Sequence, residues 1–131
     1  MPNGRRCVPA GSPWGKKFGY VRAVRIGDCI VVSGTTAIDV RGNIKCKGDI
    51  HGQAIVVLRK IKKILGELDS SIDQVFRTRV YTTDISKLNE IARAHQAFFK
   101  GKKVTNTTVQ ISALAHPELL VEIEVEAMVP K

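Results

Sequence analysis

The sequence predicts an α+β fold in which helices cover one face of a sheet. Three observations carry that reading. Two long segments place apolar residues at three- and four-residue spacing, the pattern of a helix with one buried side. The segments around them alternate apolar and polar residues with a period of two, as half-buried strands do. The elements follow the order β-β-(β)-α-β-α-β-β, which suits helices packed against a sheet. At 131 residues the chain has the length of one domain, spanning 1–131.

Residues 1–13 read as a loosely ordered lead-in. Pro2, Gly4, Pro9, Gly11, Pro13 and Gly15 discourage regular structure as far as residue 17. Phe18 to Val24 reads as a strand, with a turn at Gly27-Asp28. Cys29 to Ser33 is a β-branched run that Gly34 interrupts. Arg41-Gly42-Asn43 supplies another turn, so two or three antiparallel strands precede the first helix. Asp49 is its expected N-cap, and the apolar spacing runs from Ile50 through Val57 and Ile61 to Leu68. Asp69-Ser70-Ser71 closes it. Val75 to Thr82 is a strand. Ser86 is expected to cap a second helix, with Leu88, Ile91, His95, Phe98 and Phe99 on one side and Gly101 at its end. Two last strands, Asn106 to Ala113 and Leu120 to Val129, are separated by Ala115-His116-Pro117.

Strand parity points to function. Phe76, Thr78 and Val80, then Thr107, Val109 and Ile111, then Val121, Ile123, Val125 and Ala127 share one apolar parity and are expected under the helices. The other parity carries Arg77, Arg79, Tyr81, Asn106, Thr108, Gln110, Glu122, Glu124 and Glu126. Such a face is either a solvated exterior or a surface that meets other subunits and lines an enclosed site.

Composition narrows the classes. Lys+Arg number 21 against 12 Asp+Glu, a net charge of +9. Basic surface attracts phosphate without reading sequence. The clusters are Arg5, Arg6, Lys16, Lys17, Arg22 and Arg25, and then Arg59, Lys60, Lys62 and Lys63. Neither is interleaved with aromatics for base stacking. A solvated basic surface and a phosphate-binding patch both stay open, so nucleic acid remains a partner without specific support. Cys7, Cys29 and Cys46 include no C-x-x-C spacing, which suits a reducing compartment. No secretory core follows Arg5-Arg6. No apolar run approaches the roughly 20 residues that span a bilayer. The expectation is a cytoplasmic protein away from membranes. His51, His95 and His116 lack metal-ligand spacing, so no metal and no cofactor are expected, and His95 reads as a packed residue on an apolar stripe.

Several segments together resemble the reactive intermediate deaminase A family, also called YjgF or RidA. They are Phe18-Gly-Tyr20, Val31-Val-Ser33-Gly34, the Gln53 helix, Arg77-Thr-Arg-Val-Tyr-Thr-Thr-Asp84, Ala97-Phe-Phe99 and Leu120-Val-Glu-Ile-Glu124-Val-Glu-Ala127. The resemblance implies a chorismate-mutase-like sandwich, with a mixed six-stranded sheet and two helices on one face. It implies a homotrimer around a central barrel, with ligand clefts between subunits. Active members hydrolyse enamines and imines to 2-oxo acids and ammonia, which requires a clamp for the substrate carboxylate and a positioned water. By the resemblance, Tyr20, Ser33 and Gly34 line the cleft and Glu124 holds the water. Asn106 stands where the family carries its clamp arginine, and Thr108 where it carries a cysteine. An amide supplies no charge to a carboxylate. Arg79, or Arg22 with the parity of Tyr20, is the candidate replacement. The functions implied are imine hydrolysis, non-catalytic binding of a small polar or carboxylate-bearing metabolite, or an RNA-directed activity.

Overall fold

The computed structural model describes residues 4–131; Pro2 of the lead-in lies outside them. The elements are β1 (Arg5–Val8), α1 (Trp14–Phe18), β2 (Ala23–Ile26), β3 (Cys29–Thr35), α2 (Ile50–Glu67), β4 (Val75–Thr82), α3 (Leu88–Phe99), β5 (Thr105–Gln110) and β6 (Val121–Met128). The strands form one mixed sheet in the order β1-β2-β3-β6-β4-β5. Every neighbouring pair is antiparallel except β4 and β5, which run parallel. Parallel neighbours need a crossover, and α3 is that crossover.

Helix α2 forms where its apolar spacing predicts. The Asp49 carboxylate accepts a hydrogen bond from Gly52 N at 2.9 Å and fixes its start. Ala54, Val57, Leu58, Ile61 and Leu65 are wholly buried. They form one core with Ile30 and Val32 of β3 and with Ile123 and Val125 of β6. Burying side chains of this size stabilises by roughly 1.5–3 kcal/mol each. The odd-numbered residues of β6 therefore face the helices, and Glu122, Glu124 and Glu126 face away.

Three expectations are corrected. The lead-in is not irregular throughout, because Arg5–Val8 pairs with β2 as an edge strand. Its side chains are mostly exposed, so backbone pairing holds it and no alternation advertises it. A short helix occupies Trp14–Phe18, and strand β2 begins only at Ala23 rather than Phe18. Pro13, with φ −58°, starts that helix, and Gly19, left-handed at φ 76°, ends it. The second long helix is not capped by Ser86. The Asp84 carboxylate accepts from Ser86 N at 3.1 Å and starts a 3-10 turn over Ile85–Lys87, and α3 continues from Leu88.

Gln53 ties α2 to the segment entering β6. Its side chain is fully buried. It donates to Glu118 O at 2.9 Å and accepts from Leu120 N at 2.9 Å. A buried backbone group left unpaired costs about 1–3 kcal/mol. Gln53→Leu keeps the volume but strands both groups. The expected loss is about 3 kcal/mol of unfolding free energy, measured by urea denaturation.

Candidate functional site

The end of β3 gathers the first group of expected site residues. Pairing of β3 with β6 shifts register between Val32 and Thr35, so Ser33-Gly34 is a bulge. The Ser33 hydroxyl donates to Val21 O at 2.7 Å, and Ser33 N donates to Arg22 O at 2.9 Å. The Arg22 guanidinium donates to Gly34 O and lies 5.6 Å from the centre of the Tyr20 ring. Its Nε is buried without a partner among the described residues. Tyr20, Ser33, Gly34 and Arg22 thus share one corner.

The carboxylate at that corner is Glu122. It packs on the bare Cα of Gly34, where a Cβ would overlap it. A side chain at position 34 would push that carboxylate aside. Burial raises the Glu122 pKa and neighbouring Glu124 raises it further, while Arg22 opposes both. The spacing of Glu122, Glu124 and Glu126 left this two-residue choice open in the sequence. Behind the corner, Lys60 donates to Thr36 O at 2.6 Å and Ile38 O at 2.8 Å, pinning the loop that follows β3. Burial, and then repulsion from Arg22, lower the Lys60 pKa to about 8.

Glu124 is on the uncovered sheet face, held by its neighbours. Its Oε1 accepts from the Tyr81 hydroxyl at 3.0 Å and from Arg79 Nη1 at 3.3 Å. Arg79 also reaches Glu126 at 3.3 Å, and Arg77 lies 3.8 Å from Glu126. The hydrogen bond to Glu124 raises the Tyr81 pKa, so the phenol keeps its proton. Beside this ladder a depression of about 50 Å³ touches Val31, Arg79 and Glu124. Arg79 pairs with both glutamates through Nη1, and its side chain is 39% exposed.

Asn106 and Thr108 are elsewhere, which corrects the parity reading of β5. Parallel pairing sets Asn106 beside Thr78 and Thr108 beside Val80, on the helix face. Thr105, Thr107 and Val109 instead share the face of Arg77, Arg79 and Tyr81. On an edge strand of threonines, period-two contrast is too weak to tell the faces apart. Phe76 also leaves the apolar face: it falls in a register shift between Val75 and Arg77 and is 37% exposed.

Asn106 Nδ2 donates to Thr78 Oγ1 at 2.9 Å, and Thr108 Oγ1 donates to Asn106 Oδ1 at 2.9 Å. Thr78 Oγ1 lies 2.8 Å from His95 Nε2. Thr78 is wholly buried. Its oxygen already accepts from Asn106, so we assign its proton to His95 Nε2 and the ring proton to Nδ1. The His95 ring packs against Phe99, centroids 4.6 Å apart and planes tilted by 41°. The sequence reading of His95 as packed holds, but its link to Asn106 was hidden because two other strands' register creates it.

A cavity of about 400 Å³ opens over this chain of hydrogen bonds, between α3 and β5. Strands β3 and β5 are separated by β6 and β4, so the Gly34 corner and this cavity lie about 14 Å apart, three strand spacings. Glu122 of the corner is on the uncovered face of the sheet, whereas Asn106 and Thr108 of the cavity are on the helix face.

The α+β sheet thus carries two separate polar regions, the Gly34 corner and the α3–β5 cavity. Residues 15–129 match the family described as Endoribonuclease L-PSP. A RutC family protein of Sulfurisphaera tokodaii is 34% identical over 106 residues, covering 81% of this chain and 84% of the relative. The uncharacterized protein SCO2049 of Streptomyces coelicolor is 33% identical over 123 residues, covering 93% and 90%. The crystal structure of Rv2704 from Mycobacterium tuberculosis, a YjgF/YER057c/UK114 family member, superposes with a TM-score of 0.86 at 39% identity, covering 95% of this chain and 99% of that one. The chain belongs to this family, and the mixed six-stranded sheet with its helices is the family's fold. No helix among the described residues is long and apolar enough to cross a membrane.

Burial lowers the His95 pKa below its ordinary value of 6.5. An imidazole depressed on folding binds its proton more tightly in the unfolded chain. Stability from this group is therefore complete above about pH 6.5 and falls as the pH drops toward the native pKa. Thermal unfolding between pH 7.5 and 5 is expected to show that loss. His95→Gln, which keeps an acceptor for Thr78, is expected to flatten it.

Proposed function

We propose that the protein works as a homotrimer whose intersubunit clefts bind a small polar or carboxylate-bearing metabolite. One observation carries the reading: within a single chain the Gly34 corner on β3 and the α3–β5 cavity are separated by β6 and β4 and so do not meet. A neighbouring copy presenting its Gly34 corner to the α3–β5 cavity would complete a cleft. The uncovered sheet face supports association. Val31 is 45% exposed there and Met128 49%. Apolar exposure of this kind beside a paired Arg–Glu ladder suits a buried contact. The reduced cysteines fit a cytoplasmic setting.

Imine or enamine hydrolysis is the catalytic form of this reading. In it, Glu124 or Glu122 would hold the attacking water and Tyr20, Ser33 and Gly34 would bound the substrate. The Asn106 amide argues for weak turnover, since both of its polar ends are committed and it brings no charge to a carboxylate. Losing a charged clamp costs about 3 kcal/mol or more, at least a hundredfold in rate. An RNA-directed activity has less support. His95 on α3 is hydrogen-bonded to Thr78 of the sheet and His116 Nδ1 accepts from Glu118 N at 3.1 Å, which leaves no histidine pair for acid–base cleavage.

Light scattering is expected to give the mass of a trimer at micromolar concentration; a stable monomer overturns the reading. Coupled to a pyridoxal-phosphate dehydratase acting on serine or threonine, the protein is expected to release ammonia at least a hundredfold more slowly than a relative carrying arginine at position 106. Comparable rates would overturn the assignment of weak turnover.

A further inference from the structure

Helix α1 is the feature that the cleft reading leaves unused. It is five residues long and buries none of them. Trp14 and Phe18, four apart, lie on one side of it. Their ring centres are 5.8 Å apart, and the Phe18 ring meets the Tyr20 ring edge-on at 6.3 Å. The chain's single tryptophan, one of its two tyrosines and one of its four phenylalanines thus stand in series. Phe18 is 75% exposed and Trp14 50%. Contiguous apolar surface held out in water marks a binding site. The backbone fixes the strip in place. Gly15 packs so closely on Ala10 that a Cβ at position 15 would overlap the Ala10 methyl. Gly19 N and Tyr20 N both donate to Gly15 O, at 2.8 and 3.0 Å, and the left-handed Gly19 brings Tyr20 round to Phe18. Tyr20 also lies against Arg22, whose guanidinium holds Gly34 O, so the rings run unbroken from the Gly34 corner to solvent.

We propose that Phe18 and Trp14 extend the Gly34 corner into a stacking platform, and that the small ligand bound there carries a flat aromatic group. The inference rests on the small-molecule reading above and deepens it, since it names the class of ligand. Charge favours a ligand over a second copy of the chain as the occupant of the strip. Lys16 and Lys17 belong to α1, and Lys17 Nζ lies 4.9 Å from the centre of the Trp14 ring. A neighbour bringing its α3–β5 cavity to the corner brings Lys100 and Lys103 with it. Cation facing cation holds the neighbour's rim off the strip and leaves the rings to the ligand. The rings also set the shape they select. A flat aromatic group gains from offset or edge-on contact with them beyond the area it covers, whereas a branched aliphatic group gains from the area alone. Phe18 and Trp14 are therefore specificity residues. They touch the part of the ligand farthest from the polar groups of the corner.

The test uses the intact protein with three 2-oxo acids as probes: phenylpyruvate, 4-methyl-2-oxopentanoate and 2-oxobutanoate. Trp14 is the one tryptophan of the chain, so its indole N–H gives a single proton signal. Phenylpyruvate is expected to shift that signal and the amides of Phe18 and Tyr20, and to bind on the order of tenfold tighter than the branched acid. Phe18→Ala, at an exposed position that leaves folding unchanged, is expected to erase the preference without altering 2-oxobutanoate binding. Phe18→Tyr, which keeps a ring, is expected to retain it. Equal binding of the aryl and branched acids, or a Phe18→Ala variant that keeps the preference, overturns the proposal. So does an indole already sheltered from acrylamide quenching before any probe is added, which would show a neighbouring copy lying on the strip. Shifts confined to Ser33, Gly34 and Glu122 with all three acids overturn it too, while leaving the cleft reading in place. A protein that is monomeric and unperturbed by every probe overturns both.

Discussion

The insertion of β6 between β3 and β4 is the constraint on which the rest of the molecule depends. It joins the three-stranded antiparallel part to the parallel β4–β5 pair, and it supplies Val121, Ile123, Val125 and Ala127 to the core. Register is settled by charge as well as by burial. Arg77, Arg79 and Tyr81 stand directly opposite Glu126, Glu124 and Glu122. A one-residue slip would turn three carboxylates into the apolar layer beneath α2, at a cost no surface ion pair could offset. The ion pairs themselves are partly exposed and contribute less than about 1 kcal/mol each. Their role is to select one pairing among near alternatives.

The same register decides the electrostatics of the Gly34 corner and of the α3–β5 cavity. Glu124 is bonded within the ladder by Arg79 and Tyr81, and the carboxylate that meets the β3 bulge is that of Glu122. Arg22 and Lys60 add positive charge on one side of the corner, and burial strengthens every one of these interactions. On the far side of the sheet the chemistry is neutral. Thr108, Asn106, Thr78 and His95 are satisfied among themselves, and cations appear only on the adjoining loop.

Most of the architecture was legible in the sequence. The α2 and α3 stripes, the β4 and β6 strands and their polar parity follow from spacing alone. Strand β1 was not, since it is held by backbone pairing and its Arg5, Arg6 and Cys7 carry no alternation. At the site, Tyr20, Ser33 and Gly34 do converge, and Arg22 joins them as its parity suggested. Asn106 and Thr108 were assigned to the wrong face because a run of Thr, Asn and Thr offers no hydrophobic contrast, and only the pairing with β4 orients it. Glu122 was passed over because three glutamates at alternate positions look alike until a particular glycine faces one of them.

The position of β6 also sets the order in which the protein can mature. Strands β1 to β3 can pair as soon as they are made, and β4, α3 and β5 form a second local unit. Neither has its full core until residues 121–128 arrive to bridge them, because those residues pair with segments nearly a hundred and about fifty positions earlier. During synthesis the edges of β3 and β4 therefore wait, unpaired, for the same late strand. That interval is when the chain is most open to pairing with another copy of itself, and the exposed lysines and arginines of its helices and edge strand keep such copies apart.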